Sequence, residues 1–239
     1  MTNSIPPPRK HRPRQFTLRS LMIGVGILCL PLALLAWKMN DKRNERATVR
    51  ALRAAGAEVH YAVGNSRPAP GPAFLRAFLG DDFFCQPSLV TFPQRIATDD
   101  ACLGLVRDLH GLRGLIIENP ALTDAGLANL ASLERLTILS IEEVCSISDD
   151  GLAHLGGLRR LKNLAVMSPR ISDAGLAHVE RLESLEVLTL SGSSITDAGL
   201  GRLSKLGRLK VLHVRDTMVT ERGIAEVRNA LPNCLVPFP

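Results

Sequence analysis

Aromatic residues are scarce in this sequence of 239 residues: they make up 4% of the chain, with one tryptophan and one tyrosine. Proteins that bind single-stranded nucleic acid stack the bases on aromatic side chains inside a basic groove. The net charge is +6, but residues 1–20 hold five basic and no acidic side chains, whereas residues 98–239 hold fifteen basic and eighteen acidic ones. Because the basic excess lies outside the larger folded part, no nucleic-acid partner is expected.

Cysteine pairs and catalytic motifs are also missing. The five cysteines are far apart and odd in number, so they predict neither a disulfide framework nor a Cys-x-x-Cys zinc site. No Gly-x-Ser-x-Gly, phosphate-binding loop, His-Glu-x-x-His or dinucleotide fingerprint occurs, which argues against an enzyme and against a bound cofactor. His154 and His178 share one repeat position, but one histidine per helix leaves a metal site short of ligands, so we expect both to face solvent.

The run from Leu21 to Trp37 contains seventeen residues without a charge. It predicts a short transmembrane helix, with Arg19 and Lys38 able to reach the headgroups at its two ends. A cleaved signal peptide is the alternative, since a basic region followed by an apolar one fits that too. The end of the run is a poor cleavage site, and we therefore expect a retained anchor after a basic, proline-rich tail at 1–20.

The orientation of this anchor is not decided by its flanks, because basic residues lie on both sides of it. A short tail with five positive charges resists translocation, whereas a long downstream domain is translocated largely regardless of its charge. We therefore expect a cytoplasmic N-terminus and a folded part outside the cytoplasm.

Residues 38–89 are expected to hold a juxtamembrane helix and the N-terminal cap of the folded part. Residues 40–55 have helix-forming composition and Gly56 is a plausible stop; the arginines of this helix either contact anionic lipid or form a solvated face. Residues 58–63 alternate as a strand does. The apolar cap residues are Phe74, Leu75, Phe78, Leu79, Phe83 and Phe84.

Leucine is abundant, with 39 residues, 26 of them between Leu103 and Leu212. The second half of the chain repeats itself in units that open with sequences such as LTDAGL and ISDAGL and carry Leu-x-x-Leu-x-Leu fourteen residues later. The units begin at residues 98, 122, 147, 171, 195 and 219, so that successive starts differ by 24, 25, 24, 24 and 24 residues. Five copies in one register predict a stack of short units.

Each unit predicts one strand and one helix. The Leu-x-x-Leu-x-Leu segment ends in a strand whose alternate residues point inward, and the segment after it has helical spacing. The Ser/Thr-Asp pair at the start of each unit is expected to cap that helix. Capping explains the recurrent acids better than a catalytic or calcium ladder does; these acids are Asp100, Asp124, Asp149, Asp173 and Asp197.

The fold class expected for residues 90–239 is an α/β solenoid, with parallel strands on a concave face and helices on a convex face. It contains about five full repeats with partial units at both ends. Val90 and Phe92 supply the strand of the partial unit before the first repeat, and Leu231–Leu235 replaces the regular strand at the far end as a cap.

The segments LTDAGLANLASLERLTILSI and ISDAGLAHVERLESLEVLTLSGSSITDAGL resemble leucine-rich repeats of the cysteine-containing type that also occurs in F-box proteins. Together with the leader FTLRSLMIGVGILCLPLALLAW, they resemble bacterial membrane-anchored leucine-rich-repeat proteins. The resemblance implies a scaffold that binds a protein or peptide at a bacterial inner membrane. The oligomeric state stays open.

Residues between the inward leucines predict the binding surface, because they point to the concave side. They form three columns, and small apolar residues in them are otherwise explained by strand preference alone. Acidic residues lie at one end and basic residues at the other, so a ligand with an apolar middle and oppositely charged ends would fit. The candidate binding residues are Ile116, Glu118, Ile138, Ser140, Glu142, Asn163, Met167, Val187, Thr189, Ser191, Val211, His213 and Arg215.

Two other functions remain open. The chain could be a structural envelope component without a discrete ligand. A ubiquitin-ligase-type substrate adaptor is less favoured, because residues 40–97 contain no recognisable F-box-like segment.

Overall fold

The computed structural model describes residues 18–61, 76, 85–95, 97–118, 120–144 and 146–237, and only the backbone of residues 18–28, 30–32, 120 and 144. By its internal contacts the chain divides into two units, Met1–Asn44 and Glu45–Pro239. The predicted apolar cap lies outside the described residues. Its members are Phe74, Leu75, Phe78, Leu79, Phe83 and Phe84.

The first unit contains most of helix α1, which runs from Leu18 to Ala54. This helix includes the predicted spanning segment 21–37. The structure describes only the backbone for most of that segment, and the membrane anchor stays a prediction. Among the described residues, no helix combines the length and the apolar character that a membrane crossing requires. The helix ends just before Gly56, whose φ of +87° suits a residue without a side chain.

A seven-stranded sheet forms the centre of the second unit, in the order β1-β2-β4-β6-β7-β8-β9. Strand β1 is antiparallel to β2, and every later neighbour is parallel. Two short parallel strands, β3 and β5, form a separate ladder. The strands are β1 Glu58–Tyr61, β2 Pro87–Phe92, β3 Thr98–Asp99, β4 Gly114–Ile117, β5 Pro120–Ala121, β6 Ile138–Val144, β7 Asn163–Met167, β8 Val187–Ser191 and β9 Val211–His213.

One short helix follows each repeated strand and returns the chain to the start of the next one. A 3-10 turn at Gly201–Lys205 extends the fifth of these helices. The helices are α2 Asp100–Val106, α3 Asp124–Ala128, α4 Asp149–Leu155, α5 Asp173–Val179, α6 Asp197–Leu200 and α7 Glu221–Ala230.

The core lies between the sheet and the helices, and leucines fill it. In a strand, alternate side chains point to opposite faces, so one residue of each repeat is directed inward at the same register. The aligned leucines are at most 1% exposed; they are Leu115, Leu139, Leu164, Leu188 and Leu212. One strand and one helix per unit of about 24 residues, with leucines inside, is the arrangement of leucine-rich repeats. The predicted α/β repeat fold is confirmed.

Different elements close the two ends of the sheet. At the first end, β1 pairs with β2, and Val49 and Leu52 join the core together with the fully buried Phe92. At the far end Leu235 makes an isolated parallel bridge with Val211 instead of a full strand. Leu231 and Cys234, in the segment for which a C-terminal cap is predicted, are buried at this end, as is Val236.

Candidate functional site

The outward side of the sheet, which we call the strand face, carries two side-chain columns at constant register. Backbone pairing aligns each member of a column with the corresponding member in the neighbouring strand. The first column is Gly114, Ile138, Asn163, Val187 and Val211; the second is Ile116, Ser140, Ala165, Thr189 and His213.

Most side chains of the strand face are half-buried rather than fully open. Ile138, at 38%, is the most exposed large apolar side chain in the two columns. Gly114 is buried because the side chain of Leu89 covers it: a Cβ atom added there would lie 2.7 Å from Leu89 Cδ1. The side chain of Leu89 therefore occupies the space that a side chain at Gly114 would fill. The first column is apolar except at Asn163.

The third predicted column is not continuous, which corrects the sequence interpretation. Strand β6 changes register between Ile141 and Val144, so that Val144, not Glu142, pairs with Met167. The unit that begins at residue 122 is one residue longer than the others, and the bulge accommodates the additional residue. Glu142 is exposed in this bulge.

The remaining members of the third column differ in their environment. Ser191 pairs with Met167 but is 6% exposed; it is the last residue of β8, directly before Gly192. Glu118 follows β4 and Arg215 follows β9, so neither belongs to a strand. An open binding position is thus wrong for Ser191.

Gln94 donates hydrogen bonds to two carboxylates at the acidic end of the strand face. Its backbone N–H donates to Glu118 Oε2 at 3.0 Å, and its side-chain Nε2 donates to Glu143 Oε1 at 2.7 Å. Ser140 Oγ donates to Glu142 Oε1 at 3.3 Å. These carboxylates are therefore already engaged within the protein.

The turns that lead from each helix into the next strand form one edge of the sheet, which we call the strand-start edge. Here Glu186 accepts hydrogen bonds from Lys162 Nζ at 2.7 Å and Lys210 Nζ at 2.5 Å. The hydrogen bonds from Lys162 and then Lys210 lower the pKa of Glu186 to about 2, because both favour the ionised carboxylate. The turns are residues 107–113, 131–137, 156–162, 180–186 and 204–210.

The opposite edge, which we call the strand-end edge, consists of the loops after the strands together with strand β5, the end of β6 and the first residues of the following helices: residues 118, 120–124, 142–144, 146–150, 168–173, 192–197 and 215–221. Along it, each recurrent aspartate accepts two hydrogen bonds from the Ser or Thr of the next unit, one from the backbone N–H at 2.7–3.0 Å and one from the hydroxyl at 2.6–2.7 Å. The pairs are Asp100–Thr123, Asp124–Ser148, Asp149–Ser172, Asp173–Thr196 and Asp197–Thr220. We call this series the aspartate ladder.

The ladder corrects the predicted role of the aspartates. The caps of α4, α5 and α6 are hydroxyls: Ser148 Oγ, Ser172 Oγ and Thr196 Oγ1 each accept a backbone N–H from their own helix at 3.2–3.3 Å. Helix α2 is capped by the carboxylate of Asp99, which is outside the ladder and accepts the backbone N–H of Cys102 at 2.9 Å. The side chains of the ladder aspartates instead link neighbouring units. The hydroxyl of Thr220 and then its backbone N–H lower the pKa of Asp197, since both donate to the charged form.

Glycine is required beside each ladder aspartate. A Cβ atom added at Gly199 would overlap Oδ1 of Asp173, and one added at Gly175 would overlap Oδ1 of Asp149. The same relation holds at Gly126, Gly151 and Gly223. The recurrent glycine thus makes room for the carboxylate of the preceding unit.

The geometry of the described residues offers extended contact surfaces. Because every ladder aspartate is hydrogen-bonded to the next unit, the series is not a row of open carboxylates that could hold calcium. In the part of the chain that the structure describes, no group of three or more His, Cys, Asp or Glu side chains is placed to hold a metal ion. The strand face and the charged strand-start edge are two of the accessible surfaces in the described part of the chain.

Comparison with solved structures finds leucine-rich-repeat proteins. An internalin from Listeria monocytogenes is 28% identical with a TM-score of 0.48, and the match covers 57% of this chain and 37% of that one. Internalin C2 from the same organism is 18% identical with a TM-score of 0.44, and the match covers 65% of this chain and 70% of that one. The leucine-rich-repeat ectodomain of a plant membrane receptor kinase from Arabidopsis thaliana, solved in complex with Casparian strip integrity factor 2, is 16% identical with a TM-score of 0.40; the match covers 56% of this chain and 16% of that one.

No protein-family model and no curated protein matches the chain. The chain spans little more than a third of the first internalin. The repeat assignment therefore rests on the molecule's own period, sheet and inward leucines. Repeat domains of this kind are binding scaffolds that present an extended face to their ligands.

Proposed function

We propose that this chain is a membrane-anchored module that binds a protein or peptide with its strand face. One contrast carries the proposal. The inward row is leucine in all five aligned strands, whereas the second outward column is different in every strand: Ile116, Ser140, Ala165, Thr189 and His213.

A solvated face without a ligand has no need of apolar residues such as Ile138, Val187 and Val211. These side chains stand in one column of the strand face. Their partial exposure supports contact with an apolar ligand surface, since burying them removes apolar area from water. Asn163 in the same column adds an amide that can hydrogen-bond to a peptide backbone.

The small area of the strand face limits how tightly this face alone can bind a partner. Five strands at about 4.8 Å spacing make a strip roughly 20–25 Å long. Such a strip provides less than the roughly 800 Å² per partner of a standard interface. Binding by the strand face alone should be weak, and tight binding requires the sheet edges or a second copy.

The binding test uses a double substitution, Met167→Asp with Val187→Asp, in the full-length chain purified in detergent. Partners captured by the wild-type chain from cell membranes should be lost in this variant. The matched control is Ala153→Asp with Ala225→Asp, which adds the same charge at exposed positions of α4 and α7. Circular dichroism checks that all three chains are equally folded.

Retention of the same partners by the strand-face variant would show that this face is not the site. Failure of the wild-type chain to retain any partner would favour a structural role in the envelope.

Membrane attachment is the second part of the proposal and is supported by the uncharged segment Leu21–Trp37. The protein should stay in the membrane fraction through alkaline carbonate extraction, because a spanning segment resists it. Recovery of a soluble form that starts near Trp37 would mean that the segment is a cleaved signal peptide.

Orientation is tested with a single added cysteine at Arg202, which is exposed, in a chain that carries Cys145→Ser. If the repeat domain lies outside the cytoplasm, an impermeant thiol reagent labels Arg202→Cys in intact cells above the background of the chain without it. Labelling only after lysis would place the domain in the cytoplasm.

A further inference from the structure

The two edges of the sheet carry opposite charge. The five turns of the strand-start edge contain ten basic and five acidic residues, and the residues of the strand-end edge include ten acidic and two basic ones. Because parallel strands all run in the same direction, residues at equivalent repeat positions accumulate at one edge. The basic excess at the strand-start edge comes from two turns, residues 156–162 and 204–210, which hold six basic and no acidic residues, whereas the other three turns hold four basic and five acidic ones.

None of the seven arginines of the strand-start edge has an ion-pair partner among the described residues. Arg159, Arg160, Arg181 and Arg208 are exposed, and the ion pairs of the described chain do not engage their guanidinium groups. An arginine presents a planar set of donors that matches a carboxylate in two parallel hydrogen bonds. Unpaired arginines along one edge leave such donors available for an outside group.

The protein already places one carboxylate at this edge. Glu186 lies between Lys162 and Lys210, with both ammonium groups within hydrogen-bonding distance of it. Backbone hydrogen bonds of 2.7–2.8 Å join the turns from strand to strand, from Arg113 through Thr137 to Lys210. The spacing of adjacent strands thus allows one carboxylate to be shared by two basic side chains.

A groove of about 640 Å³ opens in the same region, lined by Gly156, Arg159, Glu180, Arg181, Glu183 and Ser184. Two of its lining residues are the unpaired arginines Arg159 and Arg181. Because Glu180 and Glu183 also line it, the groove gives the edge a concave contact area without additional positive charge.

The composition of the edge distinguishes between anionic partners. The five turns contain no Phe, Tyr or Trp, which argues against a nucleic-acid strand because stacking platforms are missing. The edge adjoins the first column of the strand face, where Ile138, Val187 and Val211 lie directly after Thr137, Glu186 and Lys210. A partner that meets both the edge and the column has acidic and apolar side chains side by side, which is a property of a polypeptide.

We propose that the strand-start edge, through Arg159, Arg160 and Arg208, docks an acidic segment of the protein partner whose apolar side chains lie on the first column of the strand face. This inference rests on the proposed function and adds the chemistry of the partner to it. Across five strands the segment extends over about 20 Å, the length of roughly six extended residues.

The probe is a fluorescein-labelled peptide of four Glu-Val repeats, with four Lys-Val repeats and four Glu-Gly repeats for comparison. Binding to the full-length chain in detergent is measured by fluorescence anisotropy at about 50 mM and about 300 mM salt, a range over which exposed charge pairs become screened. The Glu-Val peptide should bind most tightly, and its affinity should fall at the higher salt.

The decisive variant is Arg160→Glu with Arg208→Glu, and the matched control is Arg95→Glu with Arg222→Glu, two arginines at positions away from the strand-start edge whose side chains are 74% and 86% exposed. Reversal at the strand-start edge should weaken the Glu-Val peptide by roughly tenfold or more, because contacts between unlike charges become repulsive. The control should change affinity by less than about twofold. The Lys-Val peptide should gain affinity for the strand-start variant alone.

Equal losses in both variants would mean that only net charge matters, and they would overturn the proposal. Sedimentation with vesicles of anionic lipid that depends on Arg160 and Arg208, without peptide binding, would assign the edge to a membrane instead. If the natural partner is lost in the strand-face variant but retained by the Arg160→Glu, Arg208→Glu variant, the proposed function stands and the acidic-segment inference is wrong.

Discussion

The strand-end edge and the strand-start edge are made by the same repeats, yet they are stabilised in different ways. At the strand-end edge, one hydrogen-bond pair recurs five times, from Asp100–Thr123 to Asp197–Thr220. At the strand-start edge, the last residues of the five turns are arginine, threonine, lysine, glutamate and lysine in order, and the lysines of their ion pairs are solvent-exposed. Equivalent side chains link the units at one edge, and variable side chains face solvent at the other.

The difference separates residues that the fold needs from residues that the fold tolerates. A position that must contact the next unit is restricted in every copy, because each copy has the same neighbour. A position without an internal contact can vary with little effect on stability. The strand-start edge and the strand face are thus the surfaces that a partner can shape.

The largest loss of stability is expected from substitutions in the row of inward leucines. This row belongs to neither edge and is the reference for comparing them. Leu164→Ala and Leu188→Ala should each lower the free energy of unfolding by about 2–5 kcal/mol, because buried methyl groups are lost and a cavity remains. Leu235→Ala should cost much less, since Leu235 is 64% exposed. Urea denaturation followed by circular dichroism measures all three; equal losses would contradict a stacked core.

A pair of glycine substitutions compares the two edges directly. Gly199→Ala should destabilise by about 1–3 kcal/mol, because the new methyl group overlaps the carboxylate of Asp173 as in an overpacked core. Gly207→Ala at the strand-start edge meets nothing within 4 Å. It should be neutral or should stabilise by about 0.4–1 kcal/mol, through a less flexible unfolded chain.

A double substitution tests whether the glycine effect operates through the ladder. If it does, Gly199→Ala with Asp173→Ala should cost less than the sum of the two single changes. Strict additivity would mean that Gly199 is needed for another reason.

Substitution of a ladder aspartate should lower the free energy of unfolding less than substitution of a core leucine does. Asp173→Ala leaves the N–H and the hydroxyl of Thr196 without their acceptor, at a cost of roughly 1–2 kcal/mol for partly buried groups. Arg208→Ala, an exposed arginine at the other edge, should change stability by less than about 0.5 kcal/mol. Thermal melts of both variants at matched concentration give the comparison; a larger loss at Arg208 would reverse the assignment of the two edges.

The smallest change in stability is expected from protonation of Glu186 in acid, which removes the charge that its ion pairs at the strand-start edge require. The pKa of Glu186 is lowered in the folded state from 4.5 to about 2 by the hydrogen bonds from Lys162 and Lys210. Its contribution to stability is therefore present above pH 4.5 and is lost as the pH falls towards 2.

Wild type and Glu186→Gln should accordingly differ in urea midpoint at neutral pH, and the difference should shrink as the pH approaches the lowered pKa of Glu186. Glu183→Gln serves as the control for loss of one negative charge in the same turn. A difference that is unchanged at low pH would show that the carboxylate charge of Glu186 does not stabilise the fold.

Much of the fold could be predicted from the repeat spacing. The spacing of the units predicted the inward leucines and the parallel order, because these depend on period and on burial. The aspartate partners were not predicted, since hydrogen bonds between units depend on which loops are adjacent in space. A signal was present in the sequence. The recurrent aspartates begin at Asp100 of the first unit, so no aspartate of a preceding unit lies beside that unit, and it carries Cys102 where the later units have glycine.

The candidate site was harder to predict than the core. The first two columns follow from strand alternation, but the third assumed that every unit has the same length. The 25-residue spacing between the units at 122 and 147 indicated the bulge that removes Glu142 from its column. The burial of Ser191 and the hydrogen bonds of Gln94 to Glu118 and Glu143 depend on local loop geometry, which spacing does not encode.

The aspartate ladder also makes the internal junctions interchangeable. Each junction presents a carboxylate on one side and a hydroxyl with a glycine on the other, so a whole unit could be removed or duplicated and the carboxylate at the new junction would again find its counterpart. The series stops at the last unit, where Glu221 stands at the aspartate position. The number of modules, and with it the reach of the strand face, is thus a quantity that such a chain could change in single steps without redesigning any contact.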